Sequence, residues 1–196
     1  MQRRKFISAA LAGSATLATA LAAPARAQGT AAKTPFELPE QFKPQYVKIK
    51  KEYAPGQILI VPQTHFLYHV VEPGKAVRYG VGVGRAGLAF HGTATIDVKK
   101  EWPTWRPTQE MIEREPRTYA RFADSDYVQP GGPGNPLGAR ALYLFQNGVN
   151  TYYAIHGTTQ PSSIGRSVSN GCIRMLNSHV IHLYDRVPVG TTVTVL

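Results

Sequence analysis

A single cysteine, Cys172, stands in the stretch VSNGC near the end of the 196-residue chain. Cysteine attacks a carbonyl group only as a thiolate, so a catalytic cysteine needs a nearby base and hydrogen-bond donors for the oxyanion that forms. His156 ends the stretch TYYAIH, 16 positions before the cysteine. A loop of that length can return the thiol to the imidazole, which makes the two residues candidates for a nucleophile and its base.

The residues next to the cysteine suit the same chemistry. Gly171 allows a close backbone approach, so the amides of Gly171 and Cys172 could point at one oxyanion. Packing is the alternative role, because an unpaired cysteine is among the residue types most often buried. A packing cysteine usually stands among Val, Leu and Ile, whereas this one follows Ser169, Asn170 and Gly171. On these residues alone, catalysis and packing both stay open.

The five other histidines do not predict a second reactive centre. His65 and His69 are expected on one sheet face, exposed or in contact with a neighbouring strand. His91 is expected to end a turn. His179 and His182 are spaced i, i+3 on a predicted helix without acidic or cysteine ligands nearby, so no metal site is predicted. The lone cysteine also excludes an intrachain disulfide framework.

Short apolar stretches separated by turn signals predict a mostly β domain, sandwich-like or barrel-like, with one or two short helices. The size of the chain predicts one globular domain and no second one. Asn147-Gly148 is a hairpin turn signal. Strands are predicted over 57–61, 66–72, 76–84, 93–100, 141–145 and 151–156, and in GTTVTVL at the end of the chain.

Two helices are predicted. One begins at Thr108 and ends before Pro116. The other begins at Asn177, because apolar residues after it repeat with the spacing of one buried helical face. These residues are Val180, Leu183, Tyr184 and Val187.

The segment 101–138 is predicted to supply surface loops. Its stretch 129–138, QPGGPGNPLG, has too much Pro and Gly for regular structure. Trp102 and Trp105 could line a cleft or pack against the core, and packing is favoured because most large aromatic side chains are buried in the core.

The N-terminus has the pattern of an export signal. MQRRKF supplies a charged start, an Ala-rich run follows, and Ala25 and Ala27 give the small-x-small pattern of a cleavage site before Gln28. The paired arginines favour twin-arginine over Sec export, and an uncleaved anchor is the alternative. We expect residues 1–27 to be a signal peptide, 28–52 a linker or extended arm, and 53–196 the domain.

The overall charge also bears on partners. The formal net charge is +10, and cleavage removes four of the 22 basic residues and none of the 12 acidic ones. Such a chain is expected near polyanions such as cell-wall polymers. No basic run interleaved with aromatic residues predicts a nucleic-acid groove. No cysteine stands near the cleavage point, so a lipid anchor is excluded and no stable membrane anchor is expected after cleavage.

The stretch 155–195, IHGTTQPSSIGRSVSNGCIRMLNSHVIHLYDRVPVGTTVTV, resembles the signature of the L,D-transpeptidase catalytic domain, the YkuD-type family of exported cysteine enzymes that modify peptidoglycan. PLGARALYLF and RYGVGVGRAG extend the resemblance over about 53–196. The family pattern is His-Gly, a loop, then Ser/Thr-His-Gly-Cys followed by Ile-Arg. This sequence departs from the pattern at Asn170, where the family most often has histidine.

The resemblance implies roles for the residues that match. Cys172 is implied as the nucleophile and His156 as its base, oriented by the backbone carbonyl of Gly157. Nearby amides, those of Gly171 and Cys172, are implied as the oxyanion hole. Further substrate-binding or loop residues would be Ser169, Asn170 and Arg174. Arg174 would hold a substrate carboxylate or brace the loop, and Asn170 can exchange hydrogen bonds but cannot titrate.

The family reaction begins with attack on the carbonyl between residues three and four of a peptidoglycan tetrapeptide stem. This attack releases D-alanine and leaves a thioester, and an amine of another stem then forms a 3-3 cross-link. Water as the acceptor would make the protein an L,D-carboxypeptidase, and an outer-membrane protein would be anchored to the wall. No cofactor is implied, and the expected location is the periplasm, in association with the wall.

A binding module that keeps the fold without the chemistry is the remaining alternative. A fast-reacting thiol with a low pKa would favour the enzyme over this module.

Overall fold

Eleven strands and two helices make up the computed structural model, which describes residues 36–196. The strands are β1 (Gln45–Lys48), β2 (Ile58–Val61), β3 (Phe66–Glu72), β4 (Lys75–Gly80), β5 (Val83–Gly84), β6 (Gly92–Glu101), β7 (Arg140–Gln146), β8 (Val149–His156), β9 (Ser167–Ser169), β10 (Ile173–Arg174) and β11 (Thr192–Val195). The helices are α1 (Gln109–Arg114) and α2 (Asn177–Tyr184). The predicted signal peptide lies outside the described residues.

Nine of the strands form one mixed sheet in the order β1-β4-β3-β2-β11-β6-β7-β8-β10, and β5 pairs with β9. Gly82, between β4 and β5, exchanges two backbone hydrogen bonds with Arg174 of β10, with N–O distances of 2.9 and 2.8 Å. The last strand of the sheet therefore meets the continuation of β4, and the sheet curls toward a barrel. The predicted fold class, mostly β with two short helices, is confirmed.

One face of the curled sheet carries the core, with α2 packed on it. Ile155 of β8 pairs with Leu142 of β7 on one side and Ile173 of β10 on the other, and all three are buried. Val180 and Leu183 of α2 are fully buried in the same cluster. Because side chains alternate along a strand, the neighbours of Ile155 point to the opposite face.

Several predicted boundaries are confirmed by local chemistry. Helix α1 follows Thr108, whose hydroxyl accepts a hydrogen bond from the amide of Met111, as an N-cap residue does. Asn147 and Gly148 both have positive φ angles, 53° and 75°, as the tight turn between β7 and β8 requires.

The strand predicted over 76–84 is wrong in its second half. The chain leaves the sheet after Gly80 and forms the short β5 in the other pair. Gly82 lies so close to its neighbours that a Cβ atom there would stand 2.5 Å from the carbonyl oxygen of Ser163. Hydrophobic alternation continues through this break, which is why the pattern did not reveal it.

The described part of the segment predicted as a linker or extended arm, 36–52, contributes a strand to the sheet. Strand β1 pairs antiparallel with β4, Leu38 is buried, and the ring of Phe42 lies against Gly80. Strand β1 lies at the edge of the sheet and is mostly exposed, so its sequence carries no alternation of apolar and polar residues.

The predictions for His65 and His69 are correct only in part. His69 is buried on the core face, 6% exposed, between Ile58 and Val77. His65 does not lie in a strand, since it ends a turn in the left-handed region with φ 59°. Nδ1 of His182 is hydrogen-bonded to the hydroxyl of Tyr79 at 2.6 Å.

Two properties of the described residues bear on the predicted sites. Within 36–196, no group of three or more His, Cys, Asp or Glu side chains is placed to hold a metal ion. No helix in that part of the chain is long and apolar enough to cross a bilayer.

Candidate active site

Strands β8 and β10 place the candidate nucleophile and base on the face opposite the core. They pair in parallel, with Ile155 opposite Ile173 and His156 opposite Arg174. Both isoleucines point into the core, so His156 and Arg174 point away from it. Cys172 directly precedes β10, two residues before Arg174. The thiol and the imidazole line the same cleft.

His156 is held in one orientation. It is 4% exposed, and Nδ1 donates a hydrogen bond to the carbonyl oxygen of Gly157 at 2.6 Å. That bond leaves Nε2 as the nitrogen with a free lone pair. Burial, assisted by the positive charge of Arg174, lowers the pKa of His156 to about 4. The imidazole is thus neutral at physiological pH and able to accept a proton.

The Cys172 thiol is also neutral in the resting protein. Burial raises the pKa of Cys172 above its ordinary value, while a backbone hydrogen bond with Ala154 and the charge of Arg174 act in the opposite direction. The thiol also contacts the carbonyl oxygen of Tyr152 at 4.0 Å. A low thiol pKa, the property that would favour an enzyme over a binding module, is not what this environment favours. Proton transfer must therefore accompany an attack by Cys172.

The loop before the cysteine is ordered by a serine. The amide of Gly171 donates to Oγ of Ser169 at 3.1 Å, and that hydroxyl donates to the carbonyl oxygen of Cys172 at 2.6 Å. The Gly171 amide, expected in the oxyanion hole, is therefore already engaged. The Cys172 amide has no acceptor among the described residues and is the better candidate to meet an oxyanion.

Gly171→Ala is expected to lower both stability and thiol reactivity. Gly171 has φ +125°, and an added Cβ would overlap the Tyr153 ring and lie 2.6 Å from the carbonyl oxygen of Leu88. The backbone strain alone costs about 1–3 kcal/mol. Thermal unfolding and alkylation of Cys172 would measure the effect. Gly134→Ala is the control, because nothing lies within 4 Å of the added methyl group. Equal unfolding temperatures for the two variants would contradict this expectation.

Both side chains open into a cleft of about 1040 Å³. Residues 102–138, named here the cover segment, supply one wall, and β8 and the cysteine loop supply the other. The charged residues that line the cleft are mostly cationic. They are Arg106, Arg114, Arg121, Arg174 and the single acid Glu110. The cleft therefore favours substrates that carry carboxylates.

A cluster of aromatic rings organises the cover segment. Trp105 packs edge-on against Phe122 at 5.2 Å between ring centroids and lies 6.0 Å from Tyr119. Arg106 donates to the carbonyl oxygens of Phe122 and Tyr127 at 2.8 and 2.7 Å. Trp105 lines the cleft, so the favoured core placement is wrong for it.

Trp102 does not pack in the core either. Its side chain is 45% exposed, and its backbone has a positive φ angle of 41°. Its amide donates to the carbonyl oxygen of Ala139 at 2.9 Å, which fixes the start of the cover segment next to β7.

The remaining predicted site residues also line the cleft. Nη1 of Arg174 donates to Oε1 of Gln160 at 3.1 Å. Nδ2 of Asn170 donates to the Tyr119 hydroxyl at 3.2 Å, and its Oδ1 accepts from Arg85 at 2.5 Å. Arg85 was not identified from the sequence. It stands in RYGVGVGRAG, where the pattern singled out no individual residue.

The free energy of unfolding is expected to fall as the pH falls from about 6.5 to 4. The pKa of His156 is lower in the folded protein than its ordinary value of 6.5, so the unfolded chain takes up the proton first. For His156 alone this amounts to about 3 kcal/mol over that range. Urea unfolding at several pH values would measure it, with His156→Gln as the comparison. A variant with the same pH dependence as the wild type would exclude His156 as the source.

The family model of the L,D-transpeptidase catalytic domain, YkuD, matches residues 55–195. The probable L,D-transpeptidase ErfK/SrfK of Escherichia coli K12 is 33% identical over 156 residues, which cover 78% of this chain and 47% of that protein. The putative L,D-transpeptidase YqjB of Bacillus subtilis is 36% identical over 140 residues, 70% of this chain and 69% of that protein. The chain spans about half the length of the E. coli relatives it matches.

Solved structures agree on the fold. A Brucella melitensis protein described as a probable carnitine operon oxidoreductase is 54% identical, with a TM-score of 0.54 over 81% of this chain and 96% of that chain. L,D-transpeptidase 3 of Mycobacterium tuberculosis has a TM-score of 0.53 at 14% identity, covering 71% of this chain and 60% of that chain. The match over 55–195 includes the His-Gly pair and the cysteine loop. The chain therefore belongs to the L,D-transpeptidase catalytic domain family.

Proposed function

We propose that this protein is a cysteine acyltransferase that acts on the tetrapeptide stems of peptidoglycan. The observation that carries the proposal is the cleft beside the ends of β8 and β10, into which the chain's one thiol and a buried, oriented imidazole both open. A thiol and a neutral imidazole are the groups that acyl transfer requires. The cationic lining suits stems, which carry carboxylates.

In the first step, Sγ of Cys172 attacks the carbonyl carbon between stem residues three and four, and its proton passes to Nε2 of His156. The carbonyl oxygen becomes an oxyanion, which the Cys172 amide stabilises. The Gly157 carbonyl stabilises the imidazolium that forms, through its bond from Nδ1. The C–N bond then breaks as Nε2 returns the proton to the nitrogen of the leaving D-alanine. A thioester on Cys172 remains.

In the second step, an acceptor amine attacks the thioester carbon and gives a proton to Nε2 of His156. The C–S bond breaks, the sulfur takes the proton back, and an amide forms. A side-chain amine of another stem gives a 3-3 cross-link. Water gives an L,D-carboxypeptidase product, and an amine of an outer-membrane protein gives wall attachment. Arg174, which lines the cleft, would hold a stem carboxylate in either step.

The proposal includes export of the chain to the periplasm, where stems are found. The paired arginines and the small residues at 25–27 support export, and the moderate positive charge supports association with the wall. The oxidoreductase description belongs to the Brucella protein. In this chain, the His-Gly pair, the cysteine loop and the family match support acyl transfer.

Mass spectrometry of purified tetrapeptide stems incubated with residues 28–196 tests the proposal. Loss of D-alanine together with joined stems, absent with Cys172→Ala, is the expected result. Loss of D-alanine without joining would assign the carboxypeptidase reaction or a protein acceptor. Unchanged stems in both samples would overturn the enzyme and favour a wall-binding module, which would retain the stems on the protein.

A further inference from the structure

Arg85 joins two parts of the active-site cleft that are far apart in sequence. Its Nη2 donates to Oε1 of Glu115 at 2.6 Å and to Oδ1 of Asn170 at 2.5 Å. Its backbone amide donates to the carbonyl oxygen of Ser169 at 3.0 Å. Glu115 belongs to the cover segment, and Ser169 and Asn170 belong to the cysteine loop. One arginine thus bonds to both walls of the cleft.

The sheet brings Arg85 to this position. Strand β5 pairs in parallel with β9, with Gly84 opposite Ser169, so Arg85 follows directly after the pair. A Cβ on Gly84 would lie 2.9 Å from Cα of Gly171, which shows how closely the two backbones approach. Only glycine permits that approach. The backbone of Arg85 therefore lies next to the backbone of the cysteine loop, and its side chain extends to the cover segment.

Asn170 completes the connection. Its Oδ1 accepts from Arg85 while its Nδ2 donates to the hydroxyl of Tyr119, which also belongs to the cover segment. Tyr119 packs against Trp105 at 6.0 Å between ring centroids. The amide of Asn170 therefore serves as a hydrogen-bonding link between Arg85 and the aromatic cluster. An amide does this without titrating, whereas histidine would carry a charge at low pH.

We propose that Arg85 is a positioning residue for the acyl-transfer reaction, one that fastens the cover segment to the cysteine loop and so holds Cys172 in its partly buried position. The expected effect of Arg85 on turnover rests on the proposed function. Its effect on the thiol does not depend on any substrate. Without Arg85 the link between Glu115 and the cysteine loop is lost, and of this network only the bond between Asn170 and Tyr119 remains. More water then reaches Cys172, and both the loop geometry and the partial burial of the thiol are lost.

Arg85→Gln tests this role through two measurements of opposite sign. The charge-assisted bonds to Glu115 and Asn170 are lost, so alkylation of Cys172 by N-ethylmaleimide at pH 7 is expected to accelerate about tenfold or more. The pH midpoint of alkylation should move down toward that of an ordinary thiol. Turnover on tetrapeptide stems is expected to fall about tenfold or more in kcat, with a smaller change in KM. Arg85→Lys should restore part of both effects.

Matched variants separate positioning from loss of fold. Arg117→Gln changes an exposed arginine of the cover segment that makes no ion pair or hydrogen bond within 36–196 and should leave both rates unchanged. Tyr119→Phe removes only the hydroxyl that Asn170 contacts. It should accelerate alkylation of Cys172 relative to the wild type, by less than Arg85→Gln does. If Arg85→Gln does not fold, the comparison of Tyr119→Phe with the wild type carries the test. Wild-type rates in Arg85→Gln, or equal changes in Arg117→Gln, would overturn the proposal. A wild type without turnover would count against the enzyme, while the alkylation rates would still decide the role of Arg85.

Discussion

We expect Cys172→Ser to abolish turnover on tetrapeptide stems while the fold is retained. The loss should be at least about three orders of magnitude, the scale seen when a nucleophile is removed. A serine hydroxyl is a far weaker acid than a thiol, and burial already lowers the pKa of His156 to about 4. Proton transfer to the imidazole is therefore less favourable from a hydroxyl than from the thiol. The acyl-enzyme mass present in the wild type should be absent from the variant.

Stability is expected to change little in Cys172→Ser. The contact of the thiol with the carbonyl oxygen of Tyr152 is long, 4.0 Å, and the Cys172 side chain is only partly buried. Ser162→Ala serves as the control, because Ser162 is an exposed serine of the loop between β8 and β9. It should keep full turnover. Measurable acyl transfer by Cys172→Ser would show that another residue supplies the nucleophile.

The pairing of Cys172 with His156 in one site could be predicted from sequence because both residues flank short elements with clear signals. The stretch TYYAIH has the composition of a strand, and the apolar spacing after Asn177 indicates a helix. The 16 positions between His156 and Cys172 are enough for the intervening loop to return to the end of β8. The parallel pairing of β8 and β10 could not be predicted, because β10 has only two residues.

The electrostatic state of the site could not be predicted in the same way. Desolvation is the largest influence on the pKa of both His156 and Cys172, and it depends on the walls of the cleft rather than on neighbours in sequence. The cover segment supplies one of these walls, and its sequence shows only Pro, Gly and scattered aromatic residues. A thiol that follows Asn and Gly suggests reactivity, but burial raises the pKa of Cys172 and favours the protonated thiol.

Arg85 was missed for a related reason. Its bonds reach Glu115 and Asn170, which lie 30 and 85 positions away in the chain. No local pattern identifies a side chain whose partners are so distant. Asn170 was predicted as a substrate-binding or loop residue, and in the structure its side-chain amide contacts both Arg85 and Tyr119. Asn170, which stands where the family most often has histidine, forms this hydrogen-bonding link without adding a titratable group.

His156→Gln is expected to lower kcat/KM on stems by about three orders of magnitude, within the range for removal of a general base. Glutamine can donate a hydrogen bond to the Gly157 carbonyl, as Nδ1 does now, but it cannot accept the proton from Cys172. The matched control is His91→Gln. His91 is an exposed histidine outside the cleft, in a second copy of the His-Gly-Thr tripeptide at 91–93. This variant should keep wild-type activity.

The pH profile of the wild type then tests the neutral pair directly. The profile of kcat/KM reports the titration of groups in the free enzyme. Because burial lowers the pKa of His156 to about 4, activity should persist well below pH 6.5 and fall only near pH 4. Initial rates, taken before acid unfolding, keep stability out of the measurement. The raised pKa of Cys172 places the basic limb above that of an ordinary thiol.

An acid limb at pH 6.5 or above would mean that the imidazole titrates as if exposed, and a basic limb below pH 8 would mean that the resting thiol is already ionised. Either result would replace the neutral pair with a thiolate–imidazolium pair as the state that meets the substrate.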